Sequence, residues 1–143
     1  MEIGVGLGYY TDIFYQNKTK NYVGIDITDY YFLKLKNKYS EYTFIKQDVT
    51  KNLISEKYDL VIMIDVVEHI VTNKNLNFLF DNIKNCLKKD GYFILTGYFK
   101  GPSKKQLFYV KKWNEQEILN HFLNYEVIKL MPFRSNNLMC LQK

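Results

Sequence analysis

Cysteine and proline are scarce in this chain of 143 residues, with two of each. Cys86 and Cys140 show no CxxC spacing and no framework of further pairs, which fits a reducing compartment, excludes a disulfide scaffold and argues against zinc. Small core filler is the plain reading of both. Pro102 and Pro132 fall in expected loops. Long apolar runs are missing too: the longest, residues 60–64, is stopped by Asp65, far short of the roughly 20 residues that span a membrane. The start has no basic leader, and Glu2 and Gly4 stand where a secretory signal is charged and then greasy. A cytoplasmic protein without a membrane segment is therefore expected. Internal repeats and low-complexity linkers are absent, so the expectation is one continuous domain over residues 1–143, near the commonest domain size.

What is present is an apolar content of 47%, enough for a core, and a formal net charge of +5. Lys100, Lys104, Lys105, Lys111 and Lys112 form a basic cluster that has the look of a polyanion footprint. Nearly all of the positive charge is lysine, however, and a general bias toward Lys, Asn, Ile and Tyr produces the same balance. A solvated loop is the expected state of that segment, and nucleic acid is not the expected partner.

Short apolar or β-branched runs alternate with longer amphipathic stretches, the pattern that builds a parallel α/β sheet. Strands are expected at residues 3–5, 22–27, 42–45, 60–64 and 92–96, the fourth being apolar enough for burial on both faces. A short helix carrying Ile13 and Phe14 follows the first. A second, with Thr28 as N-cap, would turn Tyr31, Leu35 and Tyr39 to the sheet. The clearest helix covers residues 72–88, with Leu76, Leu79, Phe80, Ile83 and Leu87 three and four apart, and is stopped by Lys89-Asp90-Gly91. Asn114 with Glu117 reads as a capping box for a helix through Phe122. Two last strands, near residues 125–130 and 138–142, are joined too closely for a crossover helix and should form an antiparallel hairpin. The fold class expected is a doubly wound, Rossmann-like three-layer α/β sandwich whose mostly parallel sheet ends in that hairpin. A dinucleotide-binding domain, parallel to its end, is organised differently.

The strongest local signal is Glu2-Ile3-Gly4-Val5-Gly6-Leu7-Gly8, alternate glycines where a strand becomes a helix. Such glycines let the chain turn tightly and let a ligand approach, with a helix N-terminus behind them. Tyr9 occupies the position where a dinucleotide fingerprint has its third glycine. Carboxylates then recur at expected strand ends: Asp26 after the second, Asp48 after the third and Asp65 after the fourth. With Glu2 they would line one crevice at the ligand-binding edge of the sheet, facing a ligand rich in donors. Each aspartate alone is equally well a turn or cap residue; together they are not.

These residues resemble the class I S-adenosylmethionine-dependent methyltransferase superfamily. Within it they are similar to the group with an Asp-x-x-Glu-His-Ile segment, here Asp65-Val66-Val67-Glu68-His69-Ile70, which includes ubiquinone-type O-methyltransferases. Tyr22-Val23-Gly24-Ile25-Asp26-Ile27-Thr28, Gln47-Asp48-Val49, Tyr58-Asp59-Leu60-Val61-Ile62 and the segment from Leu87 to Phe93 match as well; Asp90-Gly91 replaces a usual glycine pair. The resemblance implies S-adenosylmethionine as cofactor. Glu2 would hold its methionine ammonium, directly or through water, while Gly4, Gly6 and Gly8 pass beneath its methionine and ribose. Asp26 would take both ribose hydroxyls, Ile27 would pack on the adenine face, Asp48 with the Val49 amide would read the adenine edge, and Asp65 would lie beside the methionine part. Tyr9, Tyr10, Tyr98 and Phe99 border the expected pocket, and Tyr10 and Tyr98 are either contacts to cofactor or acceptor or packing residues.

Methyl transfer from a sulfonium needs donor and acceptor held in line in a dry pocket, and a base only where the acceptor must lose a proton. His69, whose imidazole can take up a proton, is the candidate catalytic base, unless its ring merely bonds its own loop. Glu68 and His69 also resemble the metal-binding pair of a small RNA-methylating branch, but the further histidine that needs is only His121, in a distant helix, so no metal is expected. The implied activity is methylation of an oxygen or nitrogen of a small molecule or glycan. An RNA or protein methyltransferase, favoured by the basic segment, and a non-catalytic methyltransferase-like subunit are the alternatives. The glycine turn leaves the first strand only residues 1–3, against about 5 to 6 in a usual strand. That predicts unpaired or wetted backbone in its neighbours. It also predicts either a start upstream of Met1 or an open site covered by a second copy or a partner subunit.

Overall fold

The computed structural model describes residues 1–143, apart from the side chain of Leu107. Strand and helix alternate through β1 (Glu2–Ile3), α1 (Tyr9–Gln16), β2 (Val23–Asp26), α2 (Phe32–Lys38), β3 (Thr43–Lys46), β4 (Tyr58–Met63), α3 (Asn73–Cys86) and β5 (Leu87–Gly97). A two-stranded ribbon, β6 (Lys104–Leu107) and β7 (Val110–Lys112), precedes α4 (Glu115–Leu119) and the hairpin β8 (Glu126–Phe133) and β9 (Asn136–Gln142). The main sheet runs β3-β2-β1-β4-β5-β9-β8. Its first five strands are parallel, and β9 is antiparallel to both β5 and β8. Strand order reverses between β1 and β4, so the crevice for a ligand opens at the C-terminal ends of those strands.

Side-chain alternation along the strands builds a core on each face. On one, Val61, Met63, Phe93, Leu95, Met139 and Leu141 meet Leu76, Leu79, Phe80 and Ile83 of α3, with Ile118 of α4 and Phe122. Burial of each such side chain contributes roughly 1.5–3 kcal/mol. On the other, Phe14 of α1 packs against a cluster of Val5, Tyr22, Tyr42 and Phe44 with Phe32 and Leu35 of α2 and Tyr39 at its end. Tyr22 stacks on Tyr42 at 4.4 Å between centroids. Beyond that helix layer, Val127, Ile128, Leu130 and Met131 of the outer strand β8 stay exposed.

Several local expectations shift. Thr28 does not cap α2; Tyr31 holds the cap position without a side-chain bond, and Phe32, Leu35 and Tyr39 are the buried face. The Thr28 hydroxyl instead accepts from the Tyr30 amide. Helix α3 ends at Cys86 rather than 88, because Leu87 already pairs with Tyr58 and the chain runs on as β5. Thr72 caps α3 by accepting from the Asn75 amide, and the capping box of Asn114 and Glu117 has both of its bonds. The basic segment is not a plain loop: Lys104 and Lys105 pair across a ribbon with Lys112 and Lys111.

Strand β1 is as short as its sequence implies, yet it pairs on both sides, Glu2 with Gly24 and Ile62, Ile3 with Ile25 and Met63. Below it the Met1 amine donates to the Leu60 carbonyl at 2.7 Å. Beside the first residues of β2 and β4 lies a cavity of about 580 Å³ lined by Met1, Tyr22, Val23 and Tyr58 among others. Among the described residues no helix is long and apolar enough to cross a membrane.

Candidate active site

Where β1 ends, the backbone turns through Gly4 (φ 78°), Gly6 (φ 48°) and Gly8 (φ 81°) into α1. A Cβ at Gly4 would run into the Val66 side chain, and one at Gly8 into Leu35, so both turns require glycine for space as well as for conformation. Gly6 faces open space apart from the Gly4 carbonyl oxygen at 3.9 Å. Asp26, at the end of β2, braces this loop: its Oδ2 accepts from the Gly6 amide at 2.9 Å and its Oδ1 from the Thr28 amide at 3.0 Å.

Asp48 follows β3 and is held in the same manner. Its Oδ1 accepts from the Thr50 amide (3.0 Å) and hydroxyl (2.6 Å), and Lys51 Nζ lies 2.8 Å from Oδ2. Burial alone would raise this carboxyl, but Lys51 and Thr50 hold it below its ordinary range. The loop carrying it is stapled from beneath by Asn82 of α3, which is buried. Its amide donates to the carbonyls of Val49 and Asn52, and its Oδ1 accepts from the Ile54 amide.

Asp65 follows β4 in a left-handed conformation, φ 54°. Thr96 on the neighbouring strand fixes it twice, accepting from the Asp65 amide at 2.8 Å and donating to its Oδ1 at 3.2 Å. A 3-10 turn, Val67–His69, comes next. His69 is exposed, and its ring has no hydrogen-bond partner among the described residues, so the bond to its own loop that sequence allowed is not formed by the ring. Glu68 points inward, with Oε2 lacking a partner among the described residues and its carboxyl raised by burial.

These loops enclose a cavity of about 500 Å³ at the C-terminal ends of β1 to β4. Gly4, Asp26, Ile27, Asp48, Val49, Asp65 and His69 line it, as do Ile3, Ile25, Gln47, Thr50, Lys51, Val66, Ile70 and Asn75, to which sequence reading assigned no role. Glu2, Gly6, Gly8 and Tyr10 are not on that wall. Strand alternation explains Glu2: Ile3 faces the cavity, so its neighbour faces α1. There Glu2 is sealed, accepting from the hydroxyls of Tyr22 and Thr11. Burial outweighs those bonds and pushes its carboxyl up to about 7. Tyr98 packs under Lys112, whose Nζ is 4.5 Å from the ring centroid, and Phe99 is core. Among the described residues no group of three or more His, Cys, Asp or Glu gathers as a metal site.

A reversed strand order, a glycine turn at its centre and carboxylates at successive strand ends define a doubly wound ligand-binding fold with an antiparallel end. Residues 1–95 match a family described as a methyltransferase domain, and the chain belongs to that family. Comparison with curated proteins by sequence finds no significant match. Among solved structures, a S-adenosylmethionine-dependent methyltransferase from Clostridium acetobutylicum is 15% identical, with a TM-score of 0.79 over 99% of this chain and 82% of that one. The 1,6-didemethyltoxoflavin-N1-methyltransferase of Burkholderia thailandensis, with bound 1,6-didemethyltoxoflavin and S-adenosylhomocysteine, is 15% identical, with a TM-score of 0.81 over 99% of this chain and 69% of that one. The glycopeptide N-methyltransferase MtfA, complexed with S-adenosylhomocysteine, is 10% identical, with a TM-score of 0.76 over 99% and 81%.

Proposed function

We propose that this chain transfers a methyl group from S-adenosylmethionine to an oxygen or nitrogen of a small molecule or glycan. The observation that carries the reading is the pair of braced carboxylates, Asp26 and Asp48, on the wall of one cavity beside the open backbone at Gly6. That wall fits an adenosine: acceptors for ribose hydroxyls and an exocyclic amine, with Ile27, Val49 and Ile70 as apolar surface. When bound, the cofactor supplies an already activated methyl group. Asp26 accepts from the ribose while keeping the glycine loop in place, and Asp48 with the Val49 amide meets the adenine edge. Asp65 lies toward the methionine end, and Glu2 supports the loop from behind rather than from the wall. His69, on the wall with a free ring, takes the proton of an acceptor hydroxyl or amine.

The similar structures include an N1-methyltransferase of 1,6-didemethyltoxoflavin and a glycopeptide N-methyltransferase, which supports a small or sugar-bearing acceptor. Leu7, Ile27, Tyr30 and Leu53 are exposed apolar side chains on the loops of this edge, which supports a second copy or a partner subunit as cover. Calorimetry with S-adenosylhomocysteine and with NAD tests the core of the reading. Binding of the first and not the second is expected, and tight NAD binding with none of the thioether would overturn it.

A further inference from the structure

The sequence has one arginine among its twenty basic side chains, Arg134. It sits in the two-residue turn between β8 and β9, where Phe133 pairs with Asn136, and its φ of 53° is the positive value that such a tight hairpin turn takes at its first central residue. The side chain itself is held by its neighbours. Nη1 donates to Asp65 Oδ2 at 3.1 Å, and the guanidinium carbon stands 5.2 Å from the ring centroid of Phe133, 5.6 Å from Tyr9 and 6.0 Å from Tyr10. A planar cation held over aromatic faces keeps its orientation, which an ammonium on a flexible stem does not. About half of the side chain remains open to solvent. The carboxylate occupies one of five donors, so the rest of the fork is left for another acceptor.

Two buried polar atoms in the same group have no partner among the described residues, the Tyr10 hydroxyl and the Asn136 side-chain carbonyl oxygen. The nitrogen of that Asn136 amide approaches Asp65 Oδ1 at 3.5 Å, which holds the group together. Buried polar groups are normally satisfied, and here two are not, beside a guanidinium with one of its five donors engaged; a ligand that displaces the side chains covering them would supply the missing bonds. The orphans are chemically distinct: the hydroxyl can donate and the carbonyl can only accept.

We propose that Arg134 and Tyr10 form the acceptor-binding subsite, and that the acceptor is a small molecule bearing a carboxylate or comparable oxyanion. The guanidinium fork and the Tyr10 hydroxyl donate to the anion. The Asn136 carbonyl accepts from a hydroxyl or amine on the same molecule, the kind of group that receives a methyl. Asp65 links the two halves, since it lines the cofactor cavity on one side and anchors Arg134 on the other. This inference rests on reading the cavity as a methyltransferase centre. In that reading the cofactor's methionine end, which carries a carboxylate as well as an ammonium, also lies near Asp65, and S-adenosylhomocysteine binding retained in Arg134→Gln assigns Arg134 to the acceptor rather than to that carboxylate.

The test uses benzoate, phenyl phosphate and neutral benzamide as probes, titrated into the full chain with and without saturating S-adenosylhomocysteine. Binding is followed by amide shifts of residues 134–137. Both anions should bind at least about tenfold more tightly than benzamide, and Arg134→Gln should abolish that preference. Arg134→Lys should recover only part of it, because it restores charge without the fork. Circular dichroism verifies that each variant is folded. Equal binding of benzoate and benzamide, a preference that survives Arg134→Gln, or equal losses of anion and S-adenosylhomocysteine binding in the variant would overturn the proposal. Failure of the parent protein to bind S-adenosylhomocysteine sinks the methyltransferase reading instead, and the titration without it then decides on Arg134 alone.

Discussion

Glu2 gives a stability prediction that depends on pH and can be worked from its surroundings. The carboxyl is 2% exposed, bonded by Tyr22 and Thr11, and raised by burial from an ordinary 4.5 to about 7. A raised folded-state value means that the unfolded chain gives up this proton first. The contribution of the group to stability is therefore complete below about pH 4.5 and is lost as pH rises toward 7. A displacement of about two and a half units corresponds to about 3 kcal/mol in all, of which about 2 kcal/mol falls between pH 5 and pH 7. Glu2→Gln keeps the shape but cannot ionise, so the variant should gain on the parent by that amount over that interval. Urea denaturation of both proteins across the range measures it. The Met1 amine, lowered to about 6 by burial, titrates in the same window with the opposite slope. It is present in both proteins, so its own slope cancels in their difference apart from its coulombic coupling to Glu2. A stability difference that stays flat between pH 5 and pH 8 would refute the reasoning and show that Glu2 is ionised in the folded protein without penalty.

Asp26→Ala should weaken S-adenosylhomocysteine binding by roughly 10- to 100-fold, through the loss of charge-assisted bonds to the ribose and of the brace on the Gly6 amide; an unchanged dissociation constant in calorimetry would remove Asp26 from the site. His69→Ala should lower turnover by about 10² or more with cofactor affinity held within about twofold. Equal turnover in parent and variant would leave His69 a wall residue without a role in proton transfer.

Much of this was legible in the amino-acid order because it depends on neighbours three or four residues away. The apolar stripe of α3, the box of Asn114 and Glu117, the glycine turn and the aspartates at strand ends are all written at helical or strand spacing. The closeness of β8 to β9 along the chain compelled an antiparallel pair, because no crossover fits between them. What local pattern could not supply was partnership across the sheet. Asn82 was one polar residue within an amphipathic helix until the packing of α3 carried it under the loop of Asp48. Glu2 read as a member of the ligand wall, and only the register of β1 between β2 and β4 turned it toward Thr11 and Tyr22. Arg134 lies 69 residues beyond Asp65 in the chain. The order β4-β5-β9-β8 brings the hairpin turn to the strand ends, and side-chain periodicity carries no record of that order. Spacing along the chain determined which elements form and which residues lie at their ends, whereas sheet order and register decided which of those ends face one another across the cavity.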